Sequence, residues 1–415
     1  MSGNWQKAYD ELKNYINNNS SIEIGTNIVC ISSDVRPEFY RLFDKVRLGF
    51  IKDNFPALLE KSYVLSKKWG EVSRVVMDSL KLESIDMEPD IRWFLLDPND
   101  GLMRVLSEPL FDLLKGKKDL AAFEQTAARV VEDGFNKYYH QGYQCWATVS
   151  LLKLLSTGKV YHVPPSDLDK DPSSHMEEME GREERVPDTV EEINKISFTH
   201  SLMYSFLVPN IIGHSTSLNL FTAFISDFDY NESRWQARNP SPERKWYEMS
   251  DIVGEFGRGK LWPDLAVYTG DRSNELVVIA DNSRMAQPDI IVEFRQEKGW
   301  YEKEGLEPVR RHYDVLKPKL GSFVVCLELV PEAAIKELEQ KPALQPVALG
   351  AVPEAAAVPV SQHVDLGTAH ETVGKLVRNI HLLSVGYDIT KLEPIIEAIK
   401  AQTETKEAAD GNNTG

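Results

Sequence analysis

With 415 residues, 42% of them apolar and 27% charged, the chain has the composition of a globular protein with material for two or three domains, not of a fibrous or low-complexity one. No apolar run approaches the roughly 18 residues needed to span a bilayer. A net charge of −17 counts against non-specific coating of nucleic acid, because phosphate affinity rests mainly on Lys and Arg.

Residues 1–156 are expected to form a helical domain. Phe39, Leu42, Phe43, Val46, Leu48 and Phe50 recur near helical spacing, as do Phe55, Leu58, Leu59 and Tyr63, and helices are also expected over Leu110 to Leu114 and Ala121 to Phe135. Pro37 and Pro56 suit first helical turns. Extended pieces are expected at Asn27 to Ile31 and at Ile91 to Leu96. This half carries no basic stripe of the kind a DNA-reading helix shows, so a packing or partner-binding role is expected for it. Residues 1–7 hold no apolar leader core, and the cytoplasm is the expected compartment. Cys30, Cys145 and Cys326 are scattered in apolar contexts and are expected as buried free thiols.

Residues 157–188 are acidic and contain proline, the signature of a linker. Acid dominates from 158 to 200, with 11 Asp or Glu against 5 Lys or Arg, whereas residues 295–319 hold 7 basic residues against 5 acids. A locally basic site on an acidic body is therefore available. From Val190 the apolar positions Ile193, Ile196, Leu202, Met203, Phe206 and Leu207 predict a helix opening the next domain, residues 189–335.

Within that domain Trp262-Pro263-Asp264 precedes an apolar run, and Pro288-Asp289-Ile290-Ile291-Val292-Glu293-Phe294-Arg295 forms another. As a strand, the second run puts Ile290, Val292 and Phe294 on one face, with Asp289, Glu293 and Arg295 on the other, interrupted by Ile291. Two carboxylates and a guanidinium on one sheet surface call for protein partners or a metal. A helix from Leu306 to Leu316 carrying Arg310, Arg311, His312 and Tyr313 follows, then a buried strand from Ser322 to Leu327.

This order resembles the PD-(D/E)XK superfamily of restriction-endonuclease-like nucleases, over roughly residues 189–330. The resemblance implies an α/β fold with a mixed sheet, binding of magnesium or manganese by Asp264 and Glu293 with Asp289 as a possible outer ligand, and cleavage of phosphodiester bonds in nucleic acid. Arg295 stands where the family has lysine. A guanidinium stays protonated at any working pH, so it stabilises charge on phosphate and leaves proton removal to water activated by the metal. Arg258, Lys260, Lys298, Arg310 and Arg311 are the candidate substrate contacts, and Glu191, Glu192, Glu248 and Glu255 are the candidates for an assisting acid. His312 is a candidate neighbour of the site, and Trp300 and Tyr301 are either base-stacking or core aromatics. Two other registers are weaker: Asp289 with Glu328 has no following basic residue, and Asp281 ends a strand in a turn. A reading of another class is a catalytically inactive nuclease fold serving as a scaffold, with protein partners held by the helical parts. No membrane partner is expected.

Gly254 to Lys260 has the spacing of a phosphate-binding loop, but Leu261 stands where Ser or Thr should bind magnesium. The histidines and cysteines lack zinc spacing. Residues 336–366, rich in Ala, Pro and Val, are expected as a tether. Helices are expected from Thr368 to about Leu383 and from Leu392 to Ala401 within 367–402, with a disordered tail over 403–415.

Overall fold

The computed structural model describes residues 4–155, 161–162, 191–192, 195–198, 246–248, 264–267, 284–302, 305–340 and 379–399. The N-terminal half is helical, as its periodicity predicts: α1 (Asn4–Asn18), α2 (Arg36–Asn54), α3 (Pro56–Leu80), α4 (Pro89–Leu96), α5 (Pro98–Arg104), α6 (Ser107–Leu114) and α7 (Leu120–Leu155). Prolines open α2 to α5, where a missing N–H costs nothing and φ is already helical. The expected strand over Ile91 to Leu96 is instead the body of α4. Ile91, Phe94 and Leu95 share one buried helical face there, and a six-residue apolar run does not by itself distinguish the two structures.

Short strands decorate this half. β1 (Ile22–Ile24) and β2 (Val29–Ile31) form a hairpin, and β3 (Ser84–Asp86) pairs in parallel with β6 (Lys195–Ser197). The helix predicted from Val190 is corrected by this pairing over its described residues, whereas Leu202, Met203, Phe206 and Leu207 lie outside the described residues. Residues 191–192 are β5 (Glu191–Glu192), antiparallel to β4 (Tyr161–His162), and Ile196 and Phe198 are buried against the helical half. Cys30 is exposed, contrary to expectation, whereas Cys145 and Cys326 are buried and free. Among the described residues no helix is long and apolar enough to cross a membrane.

The sheet that matters has four strands in the order β12, β11, β10, β8: β12 (Ile380–Ser384), β11 (Gly321–Cys326), β10 (Ile290–Arg295) and β8 (Leu265–Val267). β8 runs antiparallel to β10, while β10, β11 and β12 are mutually parallel. Parallel neighbours need a crossover, and α8 (Leu306–Leu316) supplies it between β10 and β11. It ends at Lys317, in the left-handed region at φ 43°, just before a proline. β12 lies where a helix was expected up to Leu383; register with β11 and burial of Ile380 hold it extended. Residues 393–399 are helical, as expected. A second pair, β7 (Trp246–Glu248) and β9 (Arg284–Ala286), is antiparallel.

Both faces of the central strands are covered, which explains their near-continuous apolar sequence. On one face Val292, Phe294, Phe323 and Val325 join the large core that includes Phe135, Tyr143 and Trp146 of α7. On the other, Val324 and Cys326 pack with Leu306 and Val309 of α8 and with Leu338 of α9 (Glu332–Gln340). Thus α7, about 54 Å long at 1.5 Å per residue, belongs at one end to the helical half and at the other to the sheet. A helix that covers the sheet comes from residues 120–155. The segment after β12 is tied to α7 as well: the Tyr139 and Tyr387 hydroxyls are 2.8 Å apart, and Tyr143 donates to the Gly386 carbonyl at 3.2 Å.

Candidate functional site

The antiparallel register of β8 and β10 decides which carboxylates meet. Leu265 pairs with Val292, so Asp264, one residue earlier, lies beside the end of β10 that carries Glu293, Phe294 and Arg295. The Phe294 amide donates to Asp264 Oδ2 at 2.7 Å. Arg295 then joins the two acids: one guanidinium nitrogen lies 3.6 Å from Asp264 Oδ2, and another pairs with Glu293 Oε2. Its guanidinium also lies over Trp300, 5.7 Å from the ring centroid, and Trp300 is buried as a core aromatic.

Glu293 is 1% exposed. A buried carboxylate without partners would not stay ionised, but Glu293 has two. Its second oxygen faces Nδ1 of His312 at 3.1 Å, from the inner face of α8. Burial alone would push its pKa up; Arg295 and then His312 outweigh that and bring it down to about 2. Asp264 goes the other way. Burial raises its pKa, the nearby Glu293 charge adds to the rise, and the Arg295 guanidinium only partly offsets it. Two neighbouring carboxyls with pKa values driven apart are a common feature of acid–base and ion-binding sites. Arg295 is held firmly charged, since the two carboxylates outweigh the burial that would lower its pKa.

α7 contributes two residues that sequence reasoning missed. Gln144 donates from Nε2 to Asp264 Oδ1 at 2.8 Å, and His140, one turn earlier, contacts Gln144 and the Gln296 side chain. The available signal was a glutamine inside the otherwise apolar stretch Tyr143 to Ala147, where α7 is buried all round.

Other predicted residues are dispersed. Asp289 is fully buried, but it sits four residues before Glu293, about 13 Å away along a strand rising roughly 3.3 Å per residue. It lies at the end of β10 where its amide donates to the Val267 carbonyl, so it is no outer ligand of the Asp264 site. Arg310 is buried on the other side of α8, donating to the Glu337 carbonyl and lying near Glu307 and Glu337 carboxylates, so it is not a substrate contact there. Arg311 is half-buried; Lys298 is exposed on the turn after β10, and Glu328 is exposed after β11. Glu191 and Glu192 belong to β5 and Glu248 to β7, in sheets separate from the site strands. Arg258, Lys260, Glu255 and Asp281, with the glycine-rich segment 254–260, lie outside the described residues.

Comparison with known proteins finds no matching family model, curated protein or solved structure.

Proposed function

We propose that the Asp264, Glu293 and Arg295 cluster is a nuclease-like site that hydrolyses phosphodiester bonds in nucleic acid with magnesium or manganese. The observation supporting this most is the convergence of an acid at the head of one strand with an acid-x-basic triplet on its antiparallel neighbour, carried there by β8–β10 register. The donor set fits a hard divalent cation: Asp264 and Glu293 supply carboxylate oxygens, and the Phe294 carbonyl lies beside Arg295. Among the described residues no group of three or more His, Cys, Asp or Glu is gathered as a self-sufficient cage.

When bound, the cation polarises the phosphoryl group and lowers the pKa of water. The chain does the rest. Glu293, ionised down to about pH 2, supplies permanent negative charge. Arg295 presents a fixed positive charge where negative charge develops on phosphate oxygen, a role worth about 10²–10³ in rate for a well-placed donor. His312 orients Glu293, and the Phe294 amide orients Asp264.

A second reading has its own support. Arg295 already pairs with both carboxylates, so the cluster is also a closed ion triad suited to a scaffold that retains the fold without the reaction. Incubation of plasmid, single-stranded DNA and RNA with the full-length protein and magnesium or manganese separates the two. The cleavage reading predicts metal-dependent cutting, reduced at least 100-fold in Asp264→Asn. Intact substrates after incubation with folded wild-type protein would leave the scaffold.

A further inference from the structure

We propose that Gln144 and His140 form an orientation lock on Asp264, making α7 of the helical half the positioning element of the site. The argument follows from which atoms can donate. Gln144 Nε2 lies 2.8 Å from Asp264 Oδ1 and 2.9 Å from His140 Nε2. An amide NH2 has two hydrogens and accepts none, so it donates once to the carboxylate and once to the ring. His140 Nε2 must therefore be the bare, accepting nitrogen. The other ring nitrogen lies 2.6 Å from Gln296 Oε1, an acceptor only, so Nδ1 carries the proton and donates.

Each link fixes the next. The Gln296 carbonyl selects the tautomer of His140, that tautomer forbids Gln144 from turning its own carbonyl toward the ring, and the amide hydrogen left over is aimed at Asp264. The four-residue spacing of His140 and Gln144 puts both on one face of α7, and Gln296 follows Arg295 directly in the chain. Gln144 and Gln296 are both buried, which keeps water from substituting for either partner. Outer partners of this kind hold a metal-ligating carboxylate in its productive rotamer, and their loss commonly costs 10- to 100-fold in metal affinity.

As a positioning role toward a cation the proposal rests on the phosphodiester-cleaving reading; as a statement about the tautomer of His140 it stands independently. The experiment uses full-length protein labelled with ¹⁵N-histidine, the His140 signals being identified by their loss in His140→Phe. The neutral ring protonated on Nδ1 is expected in wild type, with that preference lost in Gln296→Met, which keeps the volume of the side chain without the carbonyl that accepts from Nδ1. A ring protonated on Nε2 in wild type would overturn the lock. Calorimetric titration with Mn²⁺ supplies the second readout, with binding expected to be 10- to 100-fold weaker in Gln144→Met than in wild type. Equal Mn²⁺ affinity in the two would overturn positioning while leaving the cation site in place. No Mn²⁺ binding by wild type together with an Nδ1-protonated His140 would sustain the lock and remove the cleavage reading.

Discussion

Glu293 is the residue on which the site's electrostatics depend, and its burial makes it measurable. Its folded pKa of about 2 lies below the ordinary 4.5. Between those values the unfolded chain binds the proton that the folded one refuses. The resulting stability is fully present above about pH 4.5 and is lost as pH falls toward 2, by about 3 kcal/mol at 1.36 kcal/mol per unit. Asp264, with its pKa raised, contributes in the opposite sense, its stabilisation being lost as pH rises. Urea unfolding between pH 2 and 6 should show an acid-side loss in wild type that Glu293→Gln lacks; parallel curves would mean that Glu293 is not held ionised by Arg295 and His312. The Glu293-x-Arg295 pair was legible in the sequence because strand alternation exposes it. His312 was legible only as a candidate. His140 and Gln144 were not found, because a histidine and a glutamine four apart carry no signature until the helix bearing them is known to cover the sheet.

At the scale of elements, two sequence expectations failed for the same physical reason. Ile91 to Leu96, and Ile380 to Leu383 at the end of the helix expected from Thr368, are short segments whose state is decided by their neighbours. The first completes a helical face against α7, and the second adds a strand to β11. β10, α8 and β11 were legible because period, length and order agree there. Close helix packing gives an independent check of the helical half. A Cβ on Gly101 of α5 would lie 2.4 Å from the Phe94 Cα of α4, whereas one on Gly70 of α3 meets nothing within 4 Å. Gly101→Ala is therefore expected to destabilise by about 1–3 kcal/mol through overpacking. Gly70→Ala should stabilise by about 0.5–1 kcal/mol, since alanine favours a helix interior. Equal effects in chemical denaturation would contradict the packing of α5 on α4.

Across the whole molecule, the site is assembled from segments far apart in the chain: His140 and Gln144 on α7, Asp264 before β8, Glu293 to Gln296 on and after β10, and His312 on α8. The sheet and the site draw on segments outside residues 189–335, since α7 lies before them and β12 after them. Sequence separation hid that, because nothing in a linear reading brings residue 144 to residue 264. Groups that act as one unit lose function together, so their single losses do not add. The most direct test is the single-turnover rate of magnesium-dependent DNA or RNA cleavage by wild type, Asp264→Asn, Glu293→Gln and the double variant. The account predicts a measurable wild-type rate, a loss of at least 100-fold in each single variant, and a double variant no slower than the worse single one. Folded wild-type protein that cleaves nothing, or losses that multiply in the double variant, would contradict it.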